Sequence, residues 1–347
     1  MNKACPESGF SLIELIVATG LLLVISSIAS SGLMQMSKHQ QTVWNRTEMH
    51  SGIRGATELL QQEVGQAGRM TLPTSTVTLN TAVTVPSGTF PCTMITGGWT
   101  GGVTATVTLS SVQGIWFGAT NGAKLAILDG NNSETVIVQT LDVATAQISA
   151  CFSRSHATTA KVMALGGFAE GVVAPSPLYT VPWSSTPGTY PKGSDANHLK
   201  LFGDINDDGN LVYIEYFCDN GDVGASPSHN LYRTVSAYNA LSKTAADASN
   251  ILLSNVYPSP ADSGGVARPC FKYQWVTIGG LQYVLDVAIT LTVRTQLIDP
   301  VTHLYQTETK ALLNVSPRNI FNTWVMAGYG NVERVQSTPP TVTILLP

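Results

Sequence analysis

Apolar and polar positions divide the chain into an N-terminal stretch of helical character and a longer remainder of strand character. From Leu15 to Ser37 there is no charged side chain. At about 1.5 Å per residue this run reaches ~35 Å, enough to cross a hydrocarbon layer of about 30 Å. Beyond it, Met49, Ile53, Ala56, Leu60, Val64 and Ala67 recur at three- and four-residue steps, the period of a helix with one apolar face. The pattern therefore predicts a helix that continues out of the apolar run. Gly52, Gly55 and Gly65 each cost up to about 1 kcal/mol against Ala in a helix interior. Gly68 supplies a C-terminal cap, with Pro73 beyond it.

From Thr71 to about Ala174, Thr and Ser alternate with Val, Leu and Ile, as in Val77 to Leu79, Val103 to Leu109, Lys124 to Leu128, Thr135 to Leu141 and Lys161 to Leu165. These segments predict strands. Turn residues separate them at Pro86-Ser87-Gly88, Gly97-Gly98, Asn121-Gly122 and Asp129-Gly130. A Pro-rich stretch from Pro175 to Pro191 predicts a long surface loop or a domain boundary. Strands resume at His198 to Phe202, Leu211 to Cys218, Leu231 to Val235, Phe271 to Thr277, Val284 to Gln296 and Thr307 to Val315. The tail from Ser337 predicts an added edge strand or a disordered end, since Pro340 and Pro347 oppose a helix.

One acid, Glu14, stands at the head of the apolar run, in the sequence Gly9-Phe-Ser-Leu-Ile-Glu14. A secretory signal peptide places its apolar stretch before a small-residue cleavage site. Here the order is inverted, so a cut at Gly9 removes the polar leader Met1–Gly9 and keeps the anchor. On Gly9, Phe10 and Glu14 the chain resembles the type IV prepilin family, whose members share a short leader ending in Gly, a Phe at the new N-terminus and a Glu five positions in. The resemblance implies cleavage after Gly9 by a prepilin peptidase, N-methylation of Phe10, and residence as a single-pass inner-membrane protein with a periplasmic head before assembly into an extracellular filament. A buried carboxylate is costly unless paired, and the freed amine of Phe10 on a neighbouring subunit is the partner the resemblance implies for Glu14. An ordinary signal-anchor helix, with Glu14 near the headgroups, is the plainer alternative. Ser31 stands where many major pilins carry Pro, so helix curvature is not carried over.

Further along, the order Tyr213-Ile-Glu-Tyr-Phe, Asn230-Leu-Tyr-Arg, Phe271-Lys-Tyr, Val287-Ala-Ile-Thr-Leu-Thr-Val and Pro317-Arg-Asn is similar to PilW-type minor pilins and the related J-type pseudopilin of type II secretion. It covers roughly Asn197 to Asn319. The expected fold is α+β and pilin-like: a long N-terminal transmembrane and amphipathic helix packed on an antiparallel β-sheet, with a β-rich insertion. The expected boundaries are a cleaved leader at 1–9, the helix at 10–69 (10–36 transmembrane, 37–69 amphipathic), the insertion at 70–196, a pilin-like β domain at 197–336 and a tail at 337–347. The implied function is structural, initiating or assembling a type IV pilus or a secretion pseudopilus with other pilins as partners through the helix. A tip module resembling an adhesin, with residues 71–196 contacting a surface or glycan, is the alternative.

Charged residues make up 12% of the chain and the net charge is −4, a composition that suits an exported β-rich protein. No basic run is present, which removes electrostatic support for nucleic-acid binding. Cys5 lies in the leader. Cys92, Cys151, Cys218 and Cys270 remain, widely spaced and without C-x-x-C clusters, so disulfides in an oxidising compartment are expected. Three pairings are possible. Keeping each bridge in its own half favours Cys92 with Cys151 and Cys218 with Cys270, with free buried thiols as the alternative.

Asp204, Asn206, Asp208 and Asn210, with Gly209 and then Glu215, follow the spacing of a calcium loop that brings alternate oxygens to one centre. A structural Ca2+ is expected there, against a solvated hairpin turn of the same residue types. Asp262-Ser-Gly-Gly265 is similar to the nucleophile segment of trypsin-like proteases, but Ala261 precedes it and His156 lacks the partner segment's pattern. Six scattered histidines make no zinc pair, and the glycines around Trp99 lack the Lys and helix of a phosphate loop. Without a complete catalytic set, the chain is expected not to be an enzyme.

Overall fold

The uncharged run and the one-faced periodicity behind it form a single helix, α1, Leu12–Gln66, of 55 residues. The structure is a computed structural model describing residues 11–74, 76–88, 92–95, 98–118, 121–175, 178–181, 188–191, 193–220, 229–261, 263–266 and 268–346. Two compact units divide the chain, one comprising residues up to Gly52 with Arg294–Glu308, the other Ile53–Val293 with the chain from Thr309 onward.

In the larger unit, the last turns of α1 bury Ile53, Ala56, Leu60, Val64 and Ala67, the stripe expected from the sequence. Gly68 then ends the helix with φ +80°. Its N–H donates to the Phe202 carbonyl (2.9 Å) and its carbonyl accepts from Phe168 (2.8 Å). A Cβ there would lie 2.8 Å from Ile320 Cγ1, so both the left-handed backbone and the close packing require glycine.

Strands follow as the alternation predicts. A six-stranded antiparallel sheet has the order Val77–Thr78, Lys161–Ala164, Lys124–Leu128, Glu134–Asp142, Gln147–Phe152, Val103–Thr108. Its core contains Leu125, Ile127, Val136 and Phe152, and also draws in Phe202 and Tyr213 from later in the chain. A four-stranded antiparallel meander follows: His198–Gly203, Val212–Cys218, Asn230–Ala237 and Ile251–Ser254. A third sheet places Leu281–Arg294 between Val256–Tyr257 and Phe271–Ile278, and also pairs it with Thr307–Val315. The fold class is therefore α+β with antiparallel sheets.

Three segments depart from expectation. The Pro-rich stretch carries an antiparallel pair, Leu178–Val181 with Gly188–Pro191. Helix α2, Arg318–Gly328, begins after Pro317 and buries Ile320, Thr323 and Ala327. The tail is neither strand nor disordered through its described part: α3, Val342–Leu345, buries Val342 and Leu345 in the core of the six-stranded sheet, where Leu346 just beyond it also packs. Pro340 precedes this short helix, where a missing N–H costs nothing, and the Pro339 carbonyl accepts from Val342 (3.0 Å).

Candidate assembly surface and its anchoring

Glu14 lies in the first turn of α1 and is exposed. Gly9 and Phe10, the expected processing residues, lie outside the described residues. Around and beyond Glu14 every described residue from Ser11 to Gln41 is exposed, including Leu21, Leu22, Leu23, Ile25, Ile28 and Leu33. This helix is long and apolar enough to span a membrane. Aliphatic side chains in such number gain nothing from water, so this face is where a bilayer or other apolar helices have something to cover.

Within the smaller unit, the lower half of α1 is braced by the hairpin between strands Leu281–Arg294 and Thr307–Val315. His50 Nδ1 meets the Glu308 carboxylate. One turn back, Arg46 Nε donates to Gln306 Oε1. A further turn back, the Thr42 hydroxyl donates to Asp299 Oδ1 (3.0 Å). Asp299 also accepts from the backbone N–H of Val301 (2.8 Å) and Thr302 (3.2 Å) and from Gln306 Nε2. The Val301 N–H first among these holds its carboxyl below the ordinary value.

In the larger unit, α1 is fixed by a charge that sequence reasoning missed. Glu63, on the apolar face of the helix, is buried. Its carboxylate takes the Tyr216 hydroxyl (2.6 Å) and the Arg233 guanidinium, whose Nε lies 3.1 and 3.2 Å from the two oxygens and whose Nη2 lies closer still. Tyr216 and Arg233 are register partners on adjacent strands of the meander, so both reach the same face. Burial and then the neighbouring carboxylate push the Tyr216 hydroxyl far up, keeping it a donor. Burial lowers the Arg233 pKa, but the bonds to Glu63 outweigh that and leave it raised. The signal in the sequence was an acid inside an i, i+3, i+4 apolar stripe, which asks for a cation elsewhere.

The expected calcium residues are arranged differently. Asp204 is buried and its carboxylate accepts from the Thr71 hydroxyl and from the Asp208 N–H (3.1 Å). Asp208 caps Asn210 (2.8 Å), and the side chain of Asn210 accepts from Gln113 (3.4 Å). Asn206 is exposed on the same hairpin loop. Glu215 lies on the strand beyond, opposite Lys200, with its carboxylate held by Lys243 (2.9 Å) and the Tyr213 hydroxyl (2.9 Å). Strand flanks, rather than helices, turn the twelfth-position acid away from the loop. The carboxylates of Asp204, Asp208 and Glu215 are thus engaged by protein donors, and among the described residues no group of three or more His, Cys, Asp or Glu is placed to hold a metal. Gly209, with φ +78° and a would-be Cβ 2.3 Å from Pro73 Cα, lets the loop fold against the chain after α1.

Disulfides join Cys92 to Cys151 and Cys218 to Cys270, each within its own half of the sequence. His156 lies in a structural cluster: its Nε2 meets Glu134 Oε1 (2.7 Å) and its Nδ1 lies 3.6 Å from Asp129. Glu134 also accepts from the Ser153 and Arg154 N–H groups (2.9 and 3.1 Å) and from the Ser153 hydroxyl. No protein-family model, curated protein or solved structure matches this chain.

Proposed function

We propose that the chain is a membrane-anchored pilin-like subunit, a minor pilin or pseudopilin whose N-terminal helix bundles with those of other such subunits. The observation that carries this reading is Glu14: one acid in the first turn of a helix whose apolar run is otherwise uncharged and exposed. A charge at that depth is retained only if something pairs it, and the amine freed by cleavage after Gly9 has the right sign. Support also comes from the continuity of α1, a single helix that joins the apolar run to turns held by Glu63, Tyr216 and Arg233.

Mass spectrometry of the protein isolated from its own membranes tests the proposal. A mature chain beginning at methylated Phe10 is expected; an intact Met1–Gly9 overturns it. Glu14→Ala should leave cleavage unchanged while recruitment into the filament or pseudopilus falls by an order of magnitude or more, as expected when a buried charge loses its partner at a cost of about 3 kcal/mol. Normal recruitment of that variant removes the role assigned to Glu14.

A further inference from the structure

The hairpin beside α1 carries four large aliphatic side chains at a tip where turn chemistry ordinarily calls for polar residues. Leu297, Ile298, Val301 and Leu304 are 51%, 48%, 49% and 68% exposed. The backbone beneath them is well fixed, by the Asp299 carboxylate, by the Thr295 N–H to the Gln306 carbonyl (2.8 Å) and by Arg294 lying 4.2 Å over the Tyr305 ring. The tip is thus an ordered apolar surface, and ordered apolar surfaces of this kind mark interaction sites.

Its position on α1 says what it meets. The contacts descend the helix in order, Glu308 at His50, Gln306 at Arg46 and Asp299 at Thr42, so the tip points along α1 toward the apolar run. Thr42 is five residues beyond Ser37, or about 7.5 Å at 1.5 Å per residue. The polar layer on each side of a bilayer is roughly 5–8 Å deep, which places the tip at headgroup level. Trp44, 71% exposed, and the partly exposed Tyr305 stand at the same level, where amphipathic rings are favoured. Lys38, Arg46 and Arg294 against Asp299 leave a formal charge of 3 − 1 = +2 over residues 37–47 and 294–306, which suits an anionic lipid surface. The hairpin tip belongs to the same compact unit as the anchor helix.

We infer that the hairpin of residues 295–306 is a second membrane contact, inserting Leu297, Ile298, Val301 and Leu304 into the headgroup–acyl boundary of an anionic bilayer beside α1. It rests on the reading of α1 as a membrane span. Two contacts fix the rotation of α1 about its own axis, which one helix crossing a bilayer cannot do.

The test uses the full chain carrying Cys5→Ser, labelled with a polarity-sensitive fluorophore at Thr302→Cys and placed one copy per nanodisc in phosphatidylcholine with phosphatidylglycerol. A blue-shifted emission is expected, quenched more by shallow than by deep spin-labelled lipid, and lost when Val301→Asp and Leu304→Asp are added. A parallel label at Leu22→Cys reports the span itself. Water-like emission at 302 with deep quenching at 22 overturns the hairpin contact alone, whereas water-like emission at both sites overturns the membrane reading beneath it. Shielding at 302 that needs two copies per disc overturns lipid as the occupant in favour of a second subunit.

Discussion

At Glu63 the helix carries a carboxylate into an apolar face, and its value depends on Arg233 and Tyr216 being there to receive it. Removing one partner of a buried pair strands the other, at about 3–5 kcal/mol. Glu63→Ala is therefore expected to destabilise the larger unit by that amount in urea unfolding, while Glu63→Gln, which can still accept from Tyr216, should cost less. Equal losses would show that the ion pair is not what holds the helix. Glu134 gives a pH signature. Burial raises its pKa, but bonds from His156, Ser153 and Arg154 outweigh burial and leave it lowered. A depressed folded value means stability that is present above the unfolded carboxylate pKa of about 4.3 and is lost as pH falls through the folded one. Urea midpoints taken between pH 6 and pH 3 should fall more steeply for the natural chain than for Glu134→Gln; parallel curves would assign the acid sensitivity to other groups. Residues of this kind are poorly legible in sequence, because Glu63 and Arg233 are 170 positions apart and only the fold brings them together.

Elements were legible where local pattern and burial agree. The 3.6-residue stripe of α1 and the strand Thr307–Val315 lie where the pattern puts them, and the strand Lys124–Leu128 does too, although its first four residues are all buried rather than alternating. Strand Gln147–Phe152 was missed because Gln-Ile-Ser-Ala-Cys-Phe lacks a β-branched run, and it is held by neighbours on both sides. The signal for α2 was Ile320, Thr323 and Ala327 at three- and four-residue steps behind Pro317, but Asn, Thr and Trp among them are indifferent helix formers. For α3 the determining contacts are tertiary. Gln336 prepares its docking: buried, it accepts from the Lys124 N–H (2.9 Å) and donates to the carbonyls of Lys124 (2.7 Å) and Leu165 (2.5 Å). Gln336→Ala leaves three backbone groups without a partner, each worth about 1 kcal/mol or more. A loss of roughly 3 kcal/mol is expected, together with faster proteolysis of the segment from residue 337 onward. A variant with unchanged stability and an uncut tail would show that α3 docks without this amide.

At the scale of the whole molecule the four paired cysteines all belong to the unit comprising Ile53–Val293 and the chain from Thr309, while the exposed apolar turns of α1 belong to the other. The two units should therefore answer differently to a reductant. The disulfides close loops with sequence separations of 59 and 52 residues, and in the chain-entropy account each contributes about 4 kcal/mol. Together they rival the net stability of an ordinary domain, about 5–15 kcal/mol. Reduction in a lipid nanodisc should then lower the thermal midpoint of the β-sheets sharply and abolish their near-ultraviolet circular dichroism at temperatures where the oxidised protein keeps it. The apolar turns of α1 need no sheet to satisfy their backbone, because a helix in lipid closes its hydrogen bonds within itself, so a helical far-ultraviolet signal should persist after the sheets have melted. Simultaneous loss of both signals would mean that the apolar turns of α1 depend on the sheets for their structure, and a midpoint unmoved by reduction would mean that the antiparallel core holds without its cross-links.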